Sequence, residues 1–219
     1  MITYLITIAL FLLAALLALH LGDRMLCREA QQLQPDWEQQ AITTKENVLY
    51  AGIGVLSGAA VGFTVGLNMH LLPLWVAFLC MGMAMRVDRR LRIIPDEIPL
   101  AMLAGSAVHF LLIALFARPM LMGFFLSCLL GGAVGFVLLF AVSVLSHGGV
   151  GMGDVKLIGA LGALCGGICV EGTLFLATLL AAGYGVYLLL VKKVGLKYSM
   201  PFGPFLFFGF VGTMILGIC

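Results

Sequence analysis

Long apolar blocks separated by short polar breaks make up almost the whole of this chain. Blocks close to the roughly 20 residues that carry a helix across a bilayer fall at 2–21, 49–69, 71–87, 97–117, 121–145, 156–171, 172–191 and 200–218. That pattern predicts an all-α polytopic membrane bundle of about eight transmembrane helices. The third and sixth blocks are short, and the cuts at 70 and 171 are thin. The one sizeable polar stretch, 22–48, reads as a cytoplasmic or interfacial loop, with Trp37 placed to anchor at the headgroups. No polar stretch is long enough for a separate soluble domain, so residues 1–219 read as a single integral membrane domain. The first block lacks a basic leader region and a small-residue cleavage pattern, and reads as a retained helix.

Composition agrees with this pattern and excludes an ordinary soluble domain, since apolar residues make up 63% and charged residues only 10%. The lipid bilayer is therefore the first partner, and nothing points to nucleic acid. Charge placement then orients the bundle. With alternate loops on one face, Arg24, Arg28, Lys45, Arg86, Arg89, Arg90, Arg92, Lys156, Lys192, Lys193 and Lys197 fall together, and Arg118 stands opposite. The positive-inside rule makes the basic face cytoplasmic and both termini non-cytoplasmic. Glycine spacings such as Gly58–Gly62 and Gly131–Gly132–Gly135 suit close helix packing. The cysteines lie mostly in apolar blocks, where a thiol behaves as a small hydrophobe. Cys165-x-x-x-Cys169 is only a weak metal pattern, and no metal site is expected.

Against this background two acidic segments on the basic face stand out. One is Gly151-Met-Gly153-Asp154, inside a glycine-rich run after His147. Its glycines permit unusual backbone angles and close approach of an extended chain, and His147 is placed to tune whatever Asp154 does. The other is Asp88, followed by Pro95-Asp96-Glu97. Paired carboxylates cannot both ionise cheaply, so one keeps its proton and the two can act as joint acid and base on a water molecule. Simpler roles compete: Asp154 as a helix cap, Asp88 as an ion-pair partner of Arg86, Arg89, Arg90 or Arg92, and Pro95-Asp96 as a helix start. Asp96 is also the alternative acid for the pair. Lys156 is suited to lipid phosphate, or to favouring the ionised form of Asp154.

These residues resemble the bacterial prepilin leader peptidases, intramembrane aspartic proteases of the Gly-x-Gly-Asp type related to archaeal preflagellin peptidases. Asp88 with Pro95-Asp96 matches the first catalytic segment, and Gly151-Met-Gly-Asp154-Val-Lys-Leu matches the second. Pro201-Phe202-Gly203-Pro204 matches the opening of the family's last helix. The resemblance implies that Asp88 and Asp154 are the catalytic pair and that the Pro201–Pro204 turn borders the site. It further implies cleavage of the basic leader of type IV prepilins or type II secretion pseudopilins at the cytoplasmic face of the bacterial inner membrane, with no cofactor for proteolysis. Many members also methylate the new N-terminus with S-adenosylmethionine, using a loop with paired zinc-binding cysteines. The 22–48 segment holds only Cys27, which cannot build a four-thiolate site and argues against that second activity. The competing class is a proton-coupled secondary transporter with intramembrane aspartates. Placement of both acidic segments on one face, and the lack of a repeat relating the two halves, argue against it.

Overall fold

The structure is a computed structural model that describes residues 2–33, 44–64, 71–146, 149–191 and 200–219. Among these, the chain forms eight α-helices and one short 3₁₀ turn, with no strand. The helices are α1 (Ile2–Leu33), α2 (Thr44–Thr64), α3 (Leu71–Leu91), α4 (Glu97–Phe116), α5 (Leu121–Leu145), α6 (Met152–Cys165), α7 (Gly167–Val191) and α8 (Gly203–Ile215). The 3₁₀ turn, Arg118–Met120, joins α4 to α5. His147 and the Pro35–Trp37 stretch lie outside the described residues.

Among the described residues five stretches are long and apolar enough to cross a membrane by themselves, and they correspond to α1, α3, α4, α5 and α7. Their outer faces carry large apolar side chains, among them Phe116 and Leu145, 79% and 78% exposed. In water such a surface would be an aggregation patch; hydrocarbon solvates it, while the helices satisfy their own backbone groups. Helix α6, with 14 residues, is about 21 Å long at 1.5 Å per residue. That falls short of a hydrocarbon core about 30 Å thick, so α6 is held by its neighbours.

Three boundaries differ from the sequence pattern, each for a physical reason. Helix α1 does not stop at 21 but continues to Leu33, so the first part of the expected 22–48 loop is helical. The charges of this extension are matched across helices: Asp23 takes Arg86 of α3, and Arg28 takes Glu97 of α4. Helix α2 likewise begins inside the expected loop, at Thr44. The sixth and seventh helices part at Gly166 rather than at 171. Gly166 has φ 89°, a left-handed conformation that suits glycine and breaks the helix without any drop in hydropathy.

Helix α1 lies against α2 and α3, α3 against α8, and α8 against α7. The core runs along this chain of contacts, with Phe78 between Phe11 and Phe207 at ring separations of 5.4 and 5.6 Å. On the other side α6 packs mainly on α5 and α4. The α5–α6 seam is a backbone contact: a Cβ on Gly162 would come within 2.4 Å of the carbonyl of Gly131. Cys169, expected to be a small hydrophobe or a weak metal ligand, instead forms a disulfide with Cys219. That bond ties the first turns of α7 to the chain beyond α8.

Candidate active site

Asp88 sits in the last turn of α3 and is only 5% exposed. The helix closes just beyond it, where the Arg92 N–H reaches back to the Asp88 carbonyl at 2.9 Å and Arg92 takes φ 56°. A left-handed arginine is a sparsely populated conformation, and it turns the chain sharply into the Ile93–Pro95 segment. Of the neighbouring cations, Arg86 is paired with Asp23 and lies over the Tyr50 ring at 4.8 Å. The Asp88 carboxylate has a different partner: its Oδ2 accepts the Gly203 N–H at 2.7 Å. This bond joins α3 to the Pro201–Pro204 turn. A side chain at 203 would place a Cβ 2.9 Å from Asp88, so the contact requires glycine.

Asp154 lies in the first turn of α6, ahead of position 156 where the apolar block begins, and is 7% exposed. It does not occupy the capping position. Gly151 does, with φ −67° and ψ 144°, ordinary extended angles that any residue adopts. The described glycines of this loop, Gly149, Gly151 and Gly153, have no positive φ and so do not serve unusual angles. A Cβ on Gly153 would stand 2.9 Å from Cβ of Ile94, which brings the segment after Asp88 directly onto the start of α6. The loop itself is held by Ser143, whose hydroxyl donates to the Val150 carbonyl at 2.8 Å.

Electrostatics links the two acids. Burial pushes the Asp154 carboxyl up to about 7, the charge of Asp88 adds to the rise, and the backbone N–H of Gly151 acts against it. Oδ1 of Asp154 is buried, and no group of the described residues hydrogen-bonds to it, whereas a buried carboxylate oxygen ordinarily has such a partner. Asp96, by contrast, points away. It stands at the start of α4 without a side-chain capping bond, its side chain 73% exposed, and both its oxygens take the Lys156 ammonium at 2.7 and 2.8 Å. Lys156 is thus an ion-pair partner of Asp96, a use that neither sequence expectation for it included.

The match to known proteins falls on this region. The model of the type IV leader peptidase family covers residues 75–186, just over half of the chain. The chain belongs to the type IV leader peptidase family. The matched stretch of this leader peptidase family member holds both Asp88 and Asp154, while Gly203 lies beyond it. A prepilin leader peptidase/N-methyltransferase of Bacillus subtilis is 28% identical over 159 residues, which is 73% of this chain and 61% of that protein. One from Pseudomonas putida is 30% identical over 177 residues, 77% of this chain and 57% of the relative. The chain thus spans about six-tenths of the length of these curated relatives. No solved structure matches it.

Asp88, Asp154, Gly151, Gly153 and Gly203 are brought together, and Asp96 is not. Sequence reasoning missed Ile94 and Ser143, which fix the two acidic segments, and the Arg86–Tyr50 stack beneath α3. An apolar residue just before a proline and a serine inside a membrane helix carry no distinguishing pattern.

Proposed function

We propose that this chain is a membrane-embedded aspartic endopeptidase that removes the short basic leader of type IV prepilins or type II secretion pseudopilins. The observation that carries the reading is the buried Asp154 carboxylate, with an oxygen left unpaired and within reach of the charge of Asp88. Asp88, whose Oδ2 accepts the Gly203 N–H, is assigned the ionised role, and Asp154 the proton. Asp88 takes a proton from water as the water oxygen attacks the scissile carbonyl carbon. Asp154 donates to the carbonyl oxygen; as the C–N bond breaks, the proton on Asp88 passes to the leaving amine and one hydroxyl proton of the gem-diol returns to Asp154. The relatives' name, prepilin leader peptidase, supports the choice of substrate.

The same name includes N-methyltransferase. The residues present do not fit the zinc site that activity is expected to need: residues 22–48 contribute a single cysteine, Cys27. Among the described residues no group of three His, Cys, Asp or Glu side chains could hold a metal.

We assign the site to the cytoplasmic face on two grounds. Basic residues gather at the Asp88 end of the helices. The Cys169–Cys219 disulfide lies toward the other end of α6, as an oxidising non-cytoplasmic compartment would favour.

Incubating the detergent-solubilised protein with a prepilin-like substrate tests the reading. Asp88→Asn and Asp154→Asn are each expected to lower cleavage by roughly 10²–10⁴-fold, the usual worth of a positioned acid or base. Asp96→Asn is expected to retain most activity. Undiminished cleavage by either of the first two variants would sink the dyad.

A further inference from the structure

Two apolar grooves face outward on either side of α5. The larger, about 700 Å³, lies between α4 and α5 and is floored on α6 by Lys156, Gly159, Ala160 and Ala163. At 3.6 residues per turn, these four occupy the face of α6 turned away from Asp154. The smaller, about 400 Å³, lies between α5 and α7. Helix α5 lines it with Val134, Leu138 and Val142, spaced by four residues, and α7 with Leu174, Phe175 and Thr178. Its end is formed by Val150 and Phe202. These are the residues immediately before Gly151, which caps the Asp154 helix, and Gly203, which holds Asp88.

We propose that the groove between α5 and α7, and not the larger one, receives the apolar helix that follows the scissile bond of the substrate. The inference rests on the peptidase reading and names the substrate's seat. Val134, Leu138 and Val142 form one stripe and Leu174, Phe175 and Thr178 another, so an incoming apolar helix packs as a third between them. Its N-terminal end runs out between Val150 and Phe202, which brings the preceding peptide bond to the two aspartates. Charge separates this occupant from a phospholipid. The α5–α7 groove has no cationic lining residue, and its one charged residue is Glu171, which repels phosphate. The α4–α5 groove is lined by Lys156 and Asp96, which are paired with each other, and it lies on the face of α6 turned away from Asp154.

A photoreactive benzoylphenylalanine placed in Asp154→Asn protein distinguishes the grooves. The probe replaces Leu138 or Thr178 in the smaller groove, and Leu103 or Val137 in the larger. The substrate has a basic leader, a glycine and an apolar helix of about 20 residues, and the protein is held in phospholipid vesicles. Adducts with the substrate are expected from Leu138 and Thr178 and not from Leu103 or Val137. Substrate adducts from the larger groove alone, or lipid adducts alone at Leu138 and Thr178, overturn the inference. Cleavage by the unmodified protein is scored in parallel. Its absence removes the peptidase reading and this inference with it, whereas cleavage with adducts in the wrong groove removes only the inference. As a second measurement, Val142→Trp is expected to slow cleavage roughly tenfold or more by blocking the groove, while Val137→Trp leaves it unchanged. Equal rates for the two variants also overturn it.

Discussion

In the proposed mechanism Asp154 meets the substrate as an acid only while it holds a proton, and its surroundings decide the pH range in which it does. Burial and the charge of Asp88 hold its carboxyl up to about 7, well above an ordinary aspartate. Below that value it is mostly protonated, and above it the proton is lost. In the proposed mechanism the active form has one proton shared by the pair, so cleavage is expected to fall as pH rises through about 7. A pH–rate profile at saturating substrate measures this, and the alkaline limb belongs to the pair rather than to one residue. A rate that keeps climbing from pH 6 to 8 contradicts the assignment of the proton. Gly203 belongs to the same argument. Its N–H donates to Oδ2 of Asp88 at 2.7 Å, so the turn before α8 sets where that carboxylate points.

At the level of helices, the site depends on how closely α6 is seated. Its glycine meets α5 backbone to backbone, with Gly162 facing Gly131. A methyl group there has no flexible side chain to displace and must push the helices apart. Gly162→Ala is therefore expected to cost about 1–3 kcal/mol, the usual range for overpacking. The readouts are a lower Tm in detergent and a parallel loss of cleavage as Asp154 shifts. Gly52→Ala is the control, because nothing lies within 4 Å of the added carbon, and its Tm is expected to be unchanged. Helix α5 occupies the predicted 121–145 because Pro119 precedes it and it closes at Ser146, whose N–H reaches back to the Val142 carbonyl. The α6–α7 break escapes notice because hydropathy stays high across Gly166, where only the backbone angle changes. The helical tail of α1 escapes for another reason: the residues that neutralise it, Arg86 and Glu97, are remote in sequence. In the site, Asp88 and Asp154 are legible because acids are rare in so apolar a chain. Ile94 and Ser143 acquire their roles only when the chain folds, and nothing local announces them.

Across the whole molecule, two chemistries separate toward opposite ends of the helices. Basic residues and both aspartates of the candidate site gather at one end, while the Cys169–Cys219 disulfide lies toward the other. A membrane with a reducing cytoplasm on one side and an oxidising compartment on the other accepts this arrangement in one orientation. That orientation also suits the proposed substrate, whose basic leader the same charge rule would retain on the cytoplasmic side. The expected outcome is that a cysteine replacing Arg118, between α4 and α5, reacts with an impermeant maleimide in right-side-out vesicles. A cysteine replacing Asp96 is expected to react only in inverted vesicles, with labelling of the unmodified protein subtracted in each case. Digestion without reductant is expected to release one peptide pair linked through Cys169 and Cys219. The opposite labelling pattern would place the aspartates on the oxidising face, away from any leader held in the cytoplasm, and the proposed reaction could not take place there.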